Sequence, residues 1–165
     1  MTTTLPTPQG LLSLSEAELG RSSWIEITQD QVNEFADATG DRQWIHVDPE
    51  RAKAGPFGST IVHGYLTLAL APVIMAEVLE IQNYAAVLNY GVNKVRFPAP
   101  LAVGAPVRGA VTLLSARERD SGNVEATFGI RYEMRGSDRP PCVAETVYLY
   151  RGTRHIKFGS TSPSG

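Results

Sequence analysis

Between residues 54 and 76 the chain reads AGPFGSTIVHGYLTLALAPVIMA, with no Asp, Glu, Lys or Arg. Within it Leu66, Ala69, Leu70, Val73 and Ile74 recur at helical spacing, and the first carboxylates, Glu77 and Glu80, come only at the end. The pattern predicts a helix from about 59–63 to about 80, enclosed by protein on most sides because it offers water no charged face. Ser59 or Thr60 would cap it, and Pro72 predicts a kink or break. Upstream, SSWIEIT (22–28) alternates in the manner of a short strand. Thr28-Gln29-Asp30-Gln31 then spells a capping box, the Thr hydroxyl accepting from the third helical N–H while Gln31 reaches back. Val32, Phe35, Ala36 and Thr39 share one face of the helix that follows, and Gly40 suits a left-handed end. Asp41 is therefore the first residue past a helix end. DRQWIHVDPERAKAGPFG (41–58) reads as a long irregular connection, a kind of segment that is often functional.

Beyond the helix the period changes. Residues 85–101, 106–120, 123–136 and 142–152 are long β-type segments, two of them joined by the turn Asp120-Ser121-Gly122-Asn123. In the third, Val124, Ala126, Phe128, Ile130, Tyr132 and Met134 alternate with more polar neighbours, giving one buried and one wetter face. Strand, helix, apolar helix and then a meander of long strands predict an α+β domain in which an antiparallel sheet wraps one helix. The domain is expected to span 11–152. Residues 1–10, with two prolines, read as a flexible start, and 153–165, ending GSTSPSG, as a flexible tail.

Composition narrows the function classes. The length, 165 residues, is that of one domain, and 42% hydrophobic residues is ordinary for a soluble chain. Fifteen basic residues against 17 acidic ones leave no footprint for nucleic acid. The single cysteine, Cys142, has no internal disulfide partner, and the N-terminus MTTTLPTPQG lacks the apolar run of a signal peptide, so a cytoplasmic chain is expected. No membrane association is expected either. The 54–76 run is interrupted by Gly55, Pro56, Gly58, His63, Gly64 and Pro72, and its truly apolar part falls short of the ~20 residues a span requires.

The chemistry concentrates in 41–64. A carboxylate and an imidazole at Asp41 and His46 can converge on one water if the loop turns between them, and the imidazole exchanges a proton near neutral pH. Ser59-Thr60-Ile61-Val62-His63-Gly64 approaches a helix start, where unpaired N–H groups suit a developing oxyanion and Gly64 allows close approach to the backbone. The residues alone leave a second reading open: Asp41 as a loop cap, His46 as a surface residue, His63 as a core imidazole. His46, His63 and His155 lack metal-ligand spacing, so no metal is expected. There is also no phosphate-binding glycine loop and no nucleophile elbow.

FADATGDRQWIHVDPERAKAGPFGSTIVHGYLTLAL, with its Asp-x4-His spacing and a glycine eighteen residues on, resembles the signature of the MaoC-like dehydratases, the R-specific enoyl-CoA hydratases. NYGVNKVRFPAPLAVGAPVRG is similar to their downstream strand, and within the family the NodN-like branch is the nearest in character. The resemblance, over roughly 20–150, implies a hot-dog fold, a homodimer, and reversible syn addition of water to a trans-2-enoyl-CoA to give the (R)-3-hydroxyacyl-CoA. It implies Asp41 and His46 as the catalytic pair and Gly64 as the donor to the thioester oxygen, with Ser59 and Gln43 beside them in the substrate site. Several family members carry Asn where this chain has Gln43, one methylene longer, which puts that residue's role in question. No cofactor is implied beyond the coenzyme A that the acyl-CoA substrate carries. The competing classes are a hot-dog thioesterase and a non-catalytic acyl-binding hot dog. Lys94 and Arg96 read equally as contacts to CoA phosphates or as a solvated strand face.

Overall fold

The computed structural model describes residues 2–14 and 16–152; the tail expected at 153–165 lies outside them. Five antiparallel strands form one sheet: β2 (Glu18–Arg21), β4 (Ala86–Arg96), β5 (Val107–Arg119), β6 (Asn123–Met134) and β7 (Val143–Arg151), in the order β2-β5-β6-β7-β4. Between β2 and β4 the chain forms helices α1 (Gln29–Thr39), α2 (Trp44–Val47), α3 (Pro49–Lys53), α4 (Gly64–Ala69) and α5 (Ala71–Val78). α5 lies in the hollow of the sheet with Ile74 and Val78 fully buried. A Cβ on Gly109 of β5 would fall on the Ile74 side chain, so only glycine lets helix and sheet approach this closely. On β6 the alternation appears as expected, with Val124, Ala126, Phe128, Ile130 and Tyr132 buried and Met134 partly so. Register shifts between Leu113 and Ser115, and at two points between β4 and β7, mark bulges of the kind that curve a sheet around a helix. This is the α+β hot-dog architecture expected from the sequence.

Four local expectations change. The strand at 22–28 is displaced: regular pairing ends at Arg21, and downstream only Ile25 bridges to Val107. The Ser22 hydroxyl accepts the Gly109 N–H in place of a carbonyl, and Trp24 turns outward against the guanidinium groups of Arg108 and Arg135. The connection at 41–58 is not irregular but contains α2 and α3, the latter capped by Asp48, whose Oδ1 accepts from Arg51 N–H at 3.0 Å. The long helix breaks at Leu70, as Pro72 predicts, but it begins at Gly64 with His63 as N-cap rather than at Ser59 or Thr60. The break has a direct cause: Pro72 has no N–H for the Leu68 carbonyl, which instead accepts from the Tyr132 hydroxyl at 3.0 Å. Finally, the start of the chain, expected to be flexible, forms β1 (Thr3–Leu5), paired in parallel with β3 (Leu79–Ile81), and Leu11 enters the core.

β4 is an edge strand whose residues are exposed except Val95, among them Val87, Leu88, Tyr90 and Val92. Two adjoining apolar grooves, about 330 and 260 Å³, run between α4–α5 and β4 and share Pro72, Asn89 and Tyr148 in their walls. Among the described residues no helix is long and apolar enough to cross a membrane.

Candidate active site

α1 delivers the first residue of the site. Its capping box is complete, Gln31 N–H donating to Thr28 Oγ1 at 3.3 Å and Thr28 N–H to Gln31 Oε1 at 2.9 Å. At its end Gly40 takes the left-handed conformation (φ +82°) and donates to Ala36 O at 2.8 Å. The chain leaves the helix there and places Asp41 at the surface. It turns back at once: His46 N–H donates to the Gln43 carbonyl at 2.9 Å, so the single turn of α2 folds the imidazole toward Asp41. Asp41, His46 and His63 bring one ligand atom each within 4.8 Å of one another.

The two imidazoles have fixed tautomers. His46 Nδ1 lies 2.7 Å from the Ile61 carbonyl, and a carbonyl only accepts, so Nδ1 carries the hydrogen and Nε2 keeps a lone pair. By the same logic His63 Nε2 donates to the Asp41 carbonyl at 2.9 Å. The rings stack, centroids 3.9 Å apart and planes inclined by 25°, with Phe35 on His63 at 5.0 Å. His46 is 7% exposed and His63 2%, whereas Asp41 is exposed. Burial lowers the His46 pKa from the ordinary imidazole value; the Ile61 carbonyl opposes this, His63 adds to it and the Asp41 carboxylate opposes it. The free nitrogen of His46 is thus a base poised beside a carboxylate.

The ring geometry here does not favour a shared metal ion. A bound ion must lie in the plane of each ligating ring, about 2 Å from its nitrogen. Rings stacked 3.9 Å apart and inclined by only 25° do not share a plane.

The remaining expected residues fall at varying distance from this centre. Gly64 follows His63 and opens α4, so its N–H has no acceptor within the helix. Its Cα hydrogen side is not open space: an added Cβ would meet the Phe97 ring at 3.1 Å. Gln43 acts through its backbone carbonyl, and its side chain makes no capping bond to α2. The Ser59 hydroxyl turns onto its own loop, donating to the Thr60 carbonyl at 3.3 Å. Lys94 pairs with Glu145 at 3.0 Å beside a cavity of about 680 Å³, whose walls contain none of Asp41, His46 or Gly64. Cys142 is buried, its thiol pushed up to about 12, and takes no part.

One contributor, Gln29, does not stand out in the sequence. Gln29 Nε2 donates to the His46 carbonyl at 2.7 Å and its Oε1 accepts from the Thr60 hydroxyl at 2.6 Å. One side chain at the start of α1 therefore fastens α2 to the strand-like 60–62 segment, itself held by Ile61 N–H on Ile45 O and Val62 N–H on Leu101 O. Nothing in the local pattern distinguishes Gln29 from an ordinary first-turn residue, so only the fold shows this.

The family model for the MaoC like domain matches residues 13–132. A 3-hydroxyacyl-thioester dehydratase Z of Mycobacterium tuberculosis is 49% identical over 140 residues, covering 85% of this chain and 93% of that protein. Nodulation protein N of Rhizobium leguminosarum is 39% identical over 134 residues, 80% of this chain and 83% of the relative. The unliganded R-hydratase of Pseudomonas aeruginosa shares the fold, with a TM-score of 0.64 at 19% identity over 92% of this chain and 97% of that one. The match of the family model across most of the hot-dog domain, with relatives aligned nearly end to end, makes this chain a member of the MaoC-like dehydratase family and a hydratase/dehydratase.

Proposed function

We propose that the protein adds water reversibly and with R-specificity to trans-2-enoyl-CoA thioesters, giving (R)-3-hydroxyacyl-CoA, with Asp41 and His46 as the catalytic pair. The observation that carries this reading is the free Nε2 lone pair of a buried His46, clustered with the Asp41 carboxylate and with His63, whose next residue, Gly64, opens α4. The M. tuberculosis and P. aeruginosa proteins, a thioester dehydratase and an R-hydratase by name, support the reaction class.

Water is held between Asp41 and His46, and His46 Nε2 takes one of its protons. The oxygen bonds to the β-carbon, the double-bond pair moves toward the α-carbon, and charge collects on the thioester oxygen. The Gly64 N–H stabilises that oxygen, a donor whose loss ordinarily costs about 3–4 kcal/mol in the barrier. A proton returns from the pair to the α-carbon on the same face, which makes the addition syn and restores the starting protonation. Dehydration runs the same steps in reverse. The apolar grooves beside α4–α5 suit an acyl chain. The exposed apolar edge of β4 suits a second copy, antiparallel to the first, so the working form is a homodimer.

The test is turnover of a chain-length series of trans-2-enoyl-CoA substrates, followed by loss of the enoyl absorbance, with the product's configuration determined and free thiol measured in parallel. Loss of absorbance with (R)-3-hydroxyacyl-CoA formed and no thiol released is expected. Thiol release without hydration would replace this reading by a thioesterase.

A further inference from the structure

We infer that His63 is the positioning residue of the site, a single buried imidazole that sets the Asp41 backbone and the His46 ring relative to each other. The inference rests on the proposed hydratase pair, for which it supplies the scaffold. Three contacts carry it. The Nε2–H of His63 holds the Asp41 carbonyl at 2.9 Å, its face lies on His46 at 3.9 Å, and its own backbone leads directly into Gly64. All three expected participants are therefore referred to one side chain.

That side chain is itself immobilised. The His63 carbonyl accepts twice from Thr67, from N–H at 3.0 Å and from the hydroxyl at 3.2 Å, and Thr67 is buried. Phe35 of α1 backs the ring on its far side. Only two rotatable bonds then separate the fixed backbone from the contacts to Asp41 and His46. A residue serving only to fill the core would not need a polar ring here. His63 Nδ1 is buried with no hydrogen-bond partner, a penalty that Phe or Leu at this position would avoid. The polar ring is explained by its other nitrogen, the donor to Asp41. Without that bond Asp41, on an exposed turn, loses its tie to the stacked pair.

Two substitutions separate the two contacts. His63→Phe keeps a ring to stack on His46 and removes the donor to Asp41. His63→Gln keeps an N–H at the position of Nε2 and removes the ring. With crotonyl-CoA, each is expected to lower kcat by about 10- to 100-fold, the scale on which ångström misplacement acts, with KM within about two-fold. His63→Gln should also move the acid limb of kcat/KM to higher pH, since the His46 ring loses the cover of its stacking partner. Imidazole 15N spectra of the wild type should show His46 as the Nδ1–H tautomer and His63 as the Nε2–H tautomer. These spectra need neither activity nor a variant, so they test the placement even if no trans-2-enoyl-CoA of the chain-length series is turned over, an outcome that would count against the hydratase reading instead. Retention of kcat within about two-fold and of the acid limb in both variants would overturn the inference. Should the variants fail to fold, a wild-type spectrum with His63 as Nδ1–H, or exchanging between tautomers, would overturn it as well.

Discussion

A lone pair on His46 Nε2 is the smallest feature on which the chemistry turns. Its availability follows from one hydrogen bond to the Ile61 carbonyl and from burial that disfavours the imidazolium. The sign is therefore defined. A lowered pKa keeps His46 unprotonated through neutral pH, and the base is lost only as pH falls through that lowered value. The acid limb of kcat/KM should lie below the ordinary imidazole value of about 6.5, and a limb at or above it would show that His46 is not the titrating base. The linked contribution of His46 to stability has the same direction, present above the ordinary value and lost on acidification. At this scale the sequence was informative about identity and less so about geometry. Asp41, His46 and Gly64 could be singled out because a helix-ending glycine, a loop and a helix start are local signals. Ser59 lies in the same stretch, its hydroxyl bonded to the Thr60 carbonyl. Gln29 and the stacked position of His63 depend on contacts 17 to 31 residues apart in the chain, which no local pattern encodes.

Helix α1 is the element most fully written in the sequence: capping box, apolar face and left-handed glycine all occur where the pattern puts them. The apolar segment after it shows the opposite case. Its break could be read from Pro72, but its start, and the side it leaves open with Tyr65 at 71% and Val73 at 52% exposure where lack of charge predicted enclosure, are decided by neighbours. Pro72 leaves the Leu68 carbonyl without its helical donor, and the fully buried Tyr132, on β6, supplies one from across the core. Tyr132→Phe should therefore destabilise the protein by about 1–3 kcal/mol, the cost of leaving a buried acceptor unpaired. A denaturant midpoint unchanged by that substitution would mean that the Leu68 carbonyl finds another donor. The short strand near 22–28 was misplaced because Ser22 and Trp24 bond through their side chains, which interrupts pairing that the alternating pattern alone would extend.

As a whole, the molecule is a curved sheet closed around α5 on one flank and unfinished along β4 on the other. Tyr90 and Leu88 lie there at 55% and 44% exposure on a strand with one edge unpaired, a combination that proteins ordinarily cover or charge. Light scattering at micromolar concentration should return twice the mass of one chain, and Tyr90→Lys should shift the population toward single chains. A wild-type mass of one chain would leave β4 without the partner proposed for it. The fold class was legible because long alternating strands and one uncharged helix admit few arrangements, whereas the parallel pairing of β1 with β3 joins segments more than seventy residues apart and leaves no trace in either. The central claim is that Asp41 and His46 act together on water. It is tested most directly by measuring crotonyl-CoA hydration by Asp41→Asn and His46→Gln beside the wild type, on protein of unchanged melting temperature. Each substitution should reduce turnover by at least about 100-fold; either variant retaining more than about a third of wild-type turnover, against general acid–base help of that size, would contradict the assignment.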